Sequence, residues 1–237
     1  MEKTPCILRL LVTKQKRNIV AKGDNLIGGE ATNEIIYLKT QLSSVDLKTI
    51  QEKVKVYQNN QDKLKRNNQS LAGNLEKEFL LDESFEEILF PYLVPLADRF
   101  NQEMKPFMDN PEWHFISSWI NFQKKYEFNP LHDHLGNYSF VLWVKVPYDL
   151  KEEQELQNCI DSNSPKNSLF CFYFPCINGR IRSYELYVDK SWEGTLILFP
   201  STLAHMVYPF YTSDDYRISI SGNLMRRPSS KKTFSYQ

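Results

Sequence analysis

The stretch NPLHDHLGNYSF, residues 129–140, sets His132 and His134 either side of Asp133, just ahead of an aromatic and aliphatic run, in a chain with four histidines. Side chains at i and i+2 on a strand share a face, so His132 and His134 can point together into a barrel while Asp133 points away. Two imidazoles on one strand make half of a metal site. A plainer reading gives one histidine to a loop cap and leaves the other on the surface, and the stretch alone does not separate the two. His205 stands in GTLILFPSTLAHMVYPF, where a glycine turn feeds an apolar strand, Pro200 ends it and the histidine begins the next extended stretch. Further on, in RISISGN, Arg217 and Ser219 share one strand face and Ile218 and Ile220 the other. An arginine facing a barrel interior is costly unless an anion meets it. The opposite arrangement turns Arg217 to solvent and packs Ile218 and Ile220 inside.

The elements that must carry these residues fall into two textures. Up to about residue 112 the chain mixes a short apolar run, CILRLLV (6–12), a glycine-containing polar stretch, AKGDNLIGGEA, and helical patterns. Leu47, Ile50, Val54 and Tyr57 recur at helical spacing from Ser43 and fade near KRNNQS. LAGNLEKEF (71–79) supplies a turn at Gly73 and Asn74. Phe85, Ile88, Leu89, Tyr92, Leu93, Leu96 and Phe100 form a second helical face, through which Pro91 and Pro95 predict a kink or two short helices. After about residue 113 come seven or eight short aromatic and β-branched strands separated by turn residues, which fits a sandwich or barrel better than a βαβ sheet. The polar segment 149–168 reads as a helical or loop insertion, a candidate lid or a surface excursion. The expected organisation is an N-terminal extension (1–112) packed on a β core (113–227), with a C-terminal tail (228–237).

Composition narrows the function classes. At 237 residues, one large core or a core with a flanking layer is expected. Lysine plus arginine (29) balances aspartate plus glutamate (29), so the summed field draws the chain to neither nucleic acid nor anionic lipid. The basic clusters at Lys14 to Arg17, Arg226 with Arg227, and Lys231 with Lys232 read as solvated surface. Cys6, Cys159, Cys171 and Cys176 form no CxxC pair, which argues against a zinc ribbon or a disulfide framework. No apolar stretch approaches the roughly 20 residues of a membrane span and no signal-peptide core is present. A cytoplasmic protein, of a cell or of an infected host, with reduced thiols is expected.

SSWINFQKKYEFNPLHDHLGNYSFVLWVKVP, GTLILFPSTLAHMVYP and RISISGN, within about residues 117–224, resemble the 2-oxoglutarate and Fe(II)-dependent oxygenases, in the prolyl-hydroxylase-like branch with many phage and bacterial members. NNQSLAGNLEKEF also resembles sequences upstream of that core. The resemblance implies a double-stranded β-helix, a jelly-roll or cupin-like barrel of mainly β structure with flanking helices. It also implies Fe(II), 2-oxoglutarate and dioxygen as cofactor and cosubstrates. The family pattern of an HxD or HxE pair, a distal His and an Arg-x-Ser maps the first His to His132, the distal one to His205 and the last pair to Arg217 and Ser219. His134 stands where the carboxylate should be. The favoured ligand set is therefore His132, His134 and His205, with Asp133 replacing His134 if a bulge re-aims it. Three neutral imidazoles would keep the facial geometry and raise the charge at the metal by one unit.

Arg217 and Ser219 would receive the distal carboxylate of 2-oxoglutarate; Asn121 and Tyr126 are candidates for further cosubstrate contacts or for turn and core roles, and Tyr138 and Ser139 are candidates to line the cosubstrate pocket. Trp119 and Trp143 read as core packing, and His114 as structural or surface. The resemblance implies hydroxylation of a peptidyl, prolyl-like or small-molecule substrate with release of succinate and carbon dioxide. Other readings are a three-histidine cupin-type dioxygenase using no 2-oxo acid, and a barrel that binds metal without catalysis. Zinc hydrolysis is a minor option, because no glutamate general base accompanies the histidines.

Overall fold

The computed structural model describes residues 36–104 and 111–227. The apolar run at 6–12, the polar stretch after it and the C-terminal tail lie outside the described residues. In chain order come β1 (Leu38–Gln41), α1 (Ser44–Asn59), β2 (Lys77–Leu80), α2 (Glu83–Met104), β3 (Glu112–Gln123), β4 (Asn129–His132), β5 (Tyr138–Lys145), α3 (Leu150–Gln154), α4 (Gln157–Ile160), β6 (Phe170–Pro175), β7 (Ile181–Leu186), β8 (Thr195–Pro200), β9 (His205–Val207) and β10 (Arg217–Arg227).

Two antiparallel sheets result, one in the order β1-β8-β5-β10-β3-β2 and one in the order β4-β9-β6-β7. The chain crosses between them repeatedly: β3 in the larger sheet leads to β4 in the smaller, β5 returns, β6 and β7 cross again, and β8, β9 and β10 alternate. This is a double-stranded β-helix, mainly β with flanking helices.

Strand parity divides the core. Phe140, Leu142 and Val144 of β5, Leu196 and Leu198 of β8, and Ile218 and Ile220 of β10 face the helices, where they join Ile50 and Val54 of α1 and Phe85, Leu89, Leu93, Leu96 and Phe100 of α2. Val141 and Trp143, with Ile197 and Phe199, face inward between the sheets against Phe170, Phe172 and Phe210. With both faces covered, β5 and β8 read as continuous apolar runs rather than alternating ones. Each large apolar side chain so buried contributes about 1.5–3 kcal/mol relative to exposure. Gly222 sits where β10 passes closest to its neighbours. A Cβ there would lie 2.6 Å from both the Phe140 ring and the Ser117 carbonyl oxygen. Gly222→Ala is expected to lower stability by about 1–3 kcal/mol, read by urea unfolding; an unchanged midpoint would show that the strands can spread at no cost.

Ser43 caps α1, its hydroxyl accepting from the Asp46 backbone N–H at 3.1 Å, and the Ser43 N–H donates to the Tyr92 hydroxyl on α2. Of the two outcomes expected at the prolines, a kink or two short helices, the second does not occur: α2 is one continuous helix through Pro91 and Pro95. The carbonyls that these prolines leave without donors belong to Glu87 and Pro91, both exposed, so water can serve them. No helix among the described residues is long and apolar enough to cross a membrane.

The 149–168 insertion folds into α3 and α4 and is clasped to the barrel. Glu153, fully buried, accepts at Oε1 from the backbone N–H groups of Tyr211 and Thr212 and from the Thr212 hydroxyl, at 2.7–2.8 Å. A buried carboxylate is tolerated there because three donors converge on it.

Candidate metal centre

Register brings two of the four histidines together before any side chain is considered. His132, the last residue of β4, pairs directly with His205, the first of β9, and their ring centroids lie 4.3 Å apart. His134 falls just beyond the end of β4, so it is not held by the strand as its i+2 spacing suggested. Its backbone N–H donates instead to the Ser201 carbonyl at 2.9 Å, and its ring stands 5.4 Å from that of Trp119. The available nitrogens of His132, His134 and His205 all lie within 4.8 Å of one another. Asp133 is exposed and is not part of this group.

Nδ1 of His132 lies 2.6 Å from the Pro130 carbonyl oxygen and Nδ1 of His205 lies 2.9 Å from that of Leu203. A carbonyl only accepts, so each Nδ1 carries the proton and each Nε2 presents a lone pair, the arrangement that orients a metal-binding imidazole. Phe170 stacks on His205 at 5.5 Å and Phe199 meets it edge-on. Burial in this apolar wall, reinforced by the neighbouring histidines, pushes His205 well below its ordinary value. His132 is lowered by burial, and His134 by burial and then by His132, to about 4. All three are therefore neutral near pH 7, as ligation requires. The donor set suits a divalent transition metal. Because protons compete only below these lowered values, Fe(II) or Co(II) affinity is expected to stay level from about pH 8 to 6 and to fall only nearer 5. Calorimetric titration across that range checks it; a loss beginning near pH 7 would mean ordinary, solvated imidazoles.

Arg217 and Ser219 line the same pocket as the histidines. Arg217 is 3% exposed, so the solvent-facing arrangement is not the one adopted. Its Nε and Nη2 donate to Gln123 Oε1 at 3.0 and 2.7 Å. Nη1 donates to the Tyr148 hydroxyl and the Ser168 carbonyl, and Nη2 also to the Tyr208 carbonyl. None of these partners is a carboxylate. Among the described residues no carboxylate is hydrogen-bonded to this buried guanidinium, and its two-pronged edge rests on a neutral amide oxygen. Ser168, at φ 63, turns its carbonyl toward that cation. The 149–168 segment thus ends against Arg217, and none of its residues is among those that line the histidine pocket.

The other candidates divide. Asn121 lines the pocket, its Nδ2 donating to Ser219 Oγ at 3.2 Å and Ser221 Oγ at 3.4 Å. Ser139 lines it too, as do Trp119 and Trp143, which had read as core alone. Tyr126 and Tyr138 do not. Tyr126 is 61% exposed in a turn at φ 70. Tyr138 has the parity of Phe140 and packs on Phe100 and Trp113 beneath the helices, so neither reaches the position expected of it. His114 is half-buried on β3, away from the three histidines. Sequence reasoning missed Gln123 and Tyr148. Gln123 was accessible in principle, two residues beyond Asn121 on the same strand face; Tyr148 carried no signal.

Residues 117–223 match the family described as "Putative 2OG-Fe(II) oxygenase". No curated protein sequence matches the chain. Among solved structures, a prolyl-4-hydroxylase of Pseudomonas putida superposes with a TM-score of 0.51 at 14% identity, over 81% of this chain and 94% of that one. A Burkholderia pseudomallei oxidoreductase of the 2OG-Fe(II) oxygenase family gives 0.48 at 15% identity, over 82% and 86%. A Trichoplax adhaerens prolyl hydroxylase, in complex with a hypoxia inducible factor peptide fragment, gives 0.48 at 13%, over 81% and 83%. At such identities the first likeness speaks for the fold, and the family match covers the segment that carries the three histidines and Arg217: the barrel of this chain is similar to that of the 2OG-Fe(II) oxygenases.

Proposed function

We propose that the chain is an Fe(II)- and 2-oxoglutarate-dependent dioxygenase that hydroxylates a peptidyl, prolyl-like or small-molecule substrate. The observation that carries the reading is a single pocket holding three neutral imidazoles and a buried guanidinium without a carboxylate partner. His132, His134 and His205 would hold the metal. When bound, iron supplies chelation of the 2-oxo acid and activation of dioxygen, so that oxidative decarboxylation to succinate and carbon dioxide accompanies hydroxylation.

The chain's own residues bind and orient. Arg217 offers the distal carboxylate a charge-assisted contact, with the Ser219 hydroxyl beside it. Because Gln123 Oε1 occupies the two-pronged edge of Arg217, the incoming carboxylate takes that place and the amide turns aside. The swap replaces a neutral acceptor with a charged one. Phe170, Phe199 and Trp119 exclude water around the metal end and so strengthen the electrostatics inside. Three imidazoles in place of two and a carboxylate leave the metal one unit more positive, which favours an anionic 2-oxo acid.

Anaerobic titration with Fe(II) and 2-oxoglutarate tests the reading, through the weak visible charge-transfer band of a chelated 2-oxo acid. A band is expected in the wild type. Bound iron with no band would favour the three-histidine dioxygenase that uses no 2-oxo acid, a reading supported by the absence, among the described residues, of a carboxylate beside the three histidines.

A further inference from the structure

Behind the pocket wall lies a carboxyl group with no assigned role. Glu78 on β2 pairs directly with Asn121 on β3, so the two side chains stand side by side on one face of the sheet. Glu78 is fully buried and Asn121 is 8% exposed. Among the described residues no cation is hydrogen-bonded to the Glu78 carboxyl. Glu78 Oε1 and Asn121 Oδ1 are both buried acceptors without a donor, and Asn68 Oδ1, on the loop against Glu78, is a third. The contact recorded for Glu78 Oε2 is a long 3.5 Å approach from Asn68 Nδ2. Room for the carboxyl exists because residue 73 is glycine: a Cβ there would lie 2.6 Å from Glu78 Oε1. Buried acceptors in excess of donors cost about 1–3 kcal/mol each, and one proton would satisfy two of them.

We propose that Glu78 is kept as a carboxylic acid that donates its proton to Asn121 Oδ1, making it the positioning residue that holds Asn121 Nδ2 toward Ser219 and Ser221 in the cosubstrate pocket. Asn121 is an amide whose two ends are interchangeable by rotation. A donor on its oxygen side decides which end faces the pocket. With Glu78 protonated, Oδ1 is tied back and the pocket receives the N–H end, which directs the two serine hydroxyls to present their own protons to an anion. Burial first, and then the neighbouring Glu127, push Glu78 up to about 7, which agrees with this assignment. The part concerning the cosubstrate rests on the function proposed above; the protonation of Glu78 does not.

The test therefore has two arms. Infrared difference spectra between the wild type and Glu78→Gln, taken without ligand in mildly acidic buffer, are expected to show loss of the carbonyl stretch of a carboxylic acid. Loss of a carboxylate band instead overturns the proposal and points to a buried water or cation among the three acceptors. In the second arm, Glu78→Gln, which keeps a neutral donor, is expected to retain 2-oxoglutarate affinity within about twofold. Glu78→Ala is expected to raise the KM for 2-oxoglutarate about three- to tenfold with a smaller change in kcat. Equal impairment in both variants would overturn the positioning role. Should the wild type bind no 2-oxoglutarate at all, the function proposed above fails while the infrared arm still reads Glu78.

Discussion

Arg217→Ala is expected to weaken 2-oxoglutarate binding by about 2–5 kcal/mol, roughly 30- to several-thousand-fold, because truncating one partner of a buried, hydrogen-bonded charge pair leaves the other charge unpaired. The charge-transfer band should then appear only at far higher cosubstrate concentration, or not at all. The variant also removes the donors that serve Gln123, Tyr148, Ser168 and Tyr208, at about 1–3 kcal/mol for each acceptor left buried without a partner. Thermal unfolding must accompany the titration. Arg217→Lys separates the two effects: it keeps the charge but cannot span the fork, so it should recover part of the affinity. If Arg217→Ala stays folded and binds 2-oxoglutarate as the wild type does, the arginine is not the anchor.

The second large effect is expected at the histidines. His132→Ala and His205→Ala should each reduce Fe(II) or Co(II) affinity by more than the roughly 10–100-fold that loss of a mere outer-shell partner causes, and should abolish turnover. His134 distinguishes the ligand sets. His134→Ala should cost as much as the other two if the third imidazole ligates, and little if water or Asp133 fills its place. His134→Asp restores the family's carboxylate and lowers the charge at the metal by one unit, so it is expected to retain metal binding and to hold the cation more tightly. Calorimetric titration of the four proteins reads all of these. Unchanged affinity in His205→Ala would sink the metal assignment, since its Nε2 has no other visible employment.

Much of the site was legible because its residues are chemically scarce. Four histidines, three of them in the two stretches that bracket the barrel strands, and an arginine that opens a strand of alternating isoleucines leave few ways to arrange a metal and an anion. The strands were legible for a similar reason, their β-branched and aromatic runs being cut by turn residues at short intervals. Less was legible where an element departs from its own rule. His134 lies past the end of β4, so strand parity does not place it; a hydrogen bond to Ser201, far along the chain, does. Pro91 and Pro95 did not break α2, since the carbonyls they orphan face water while Leu89, Leu93 and Leu96 hold the helix on the sheet.

By itself, then, the sequence determined the donor types, their order along the chain and the β texture of the scaffold, because these follow from residue chemistry and local periodicity. Only the tertiary structure decided which face each residue takes. In β5 both faces are buried, so hydrophobicity could not say that Ser139 lines the pocket while Tyr138 packs under the helices. Nor could it show that Arg217 rests on Gln123, Tyr148 and two backbone carbonyls, or that Glu78 backs Asn121. Those partners are brought together by sheet pairing and chain crossing, and a backbone carbonyl or a neutral amide acquires its role from what stands opposite, which residue type does not encode.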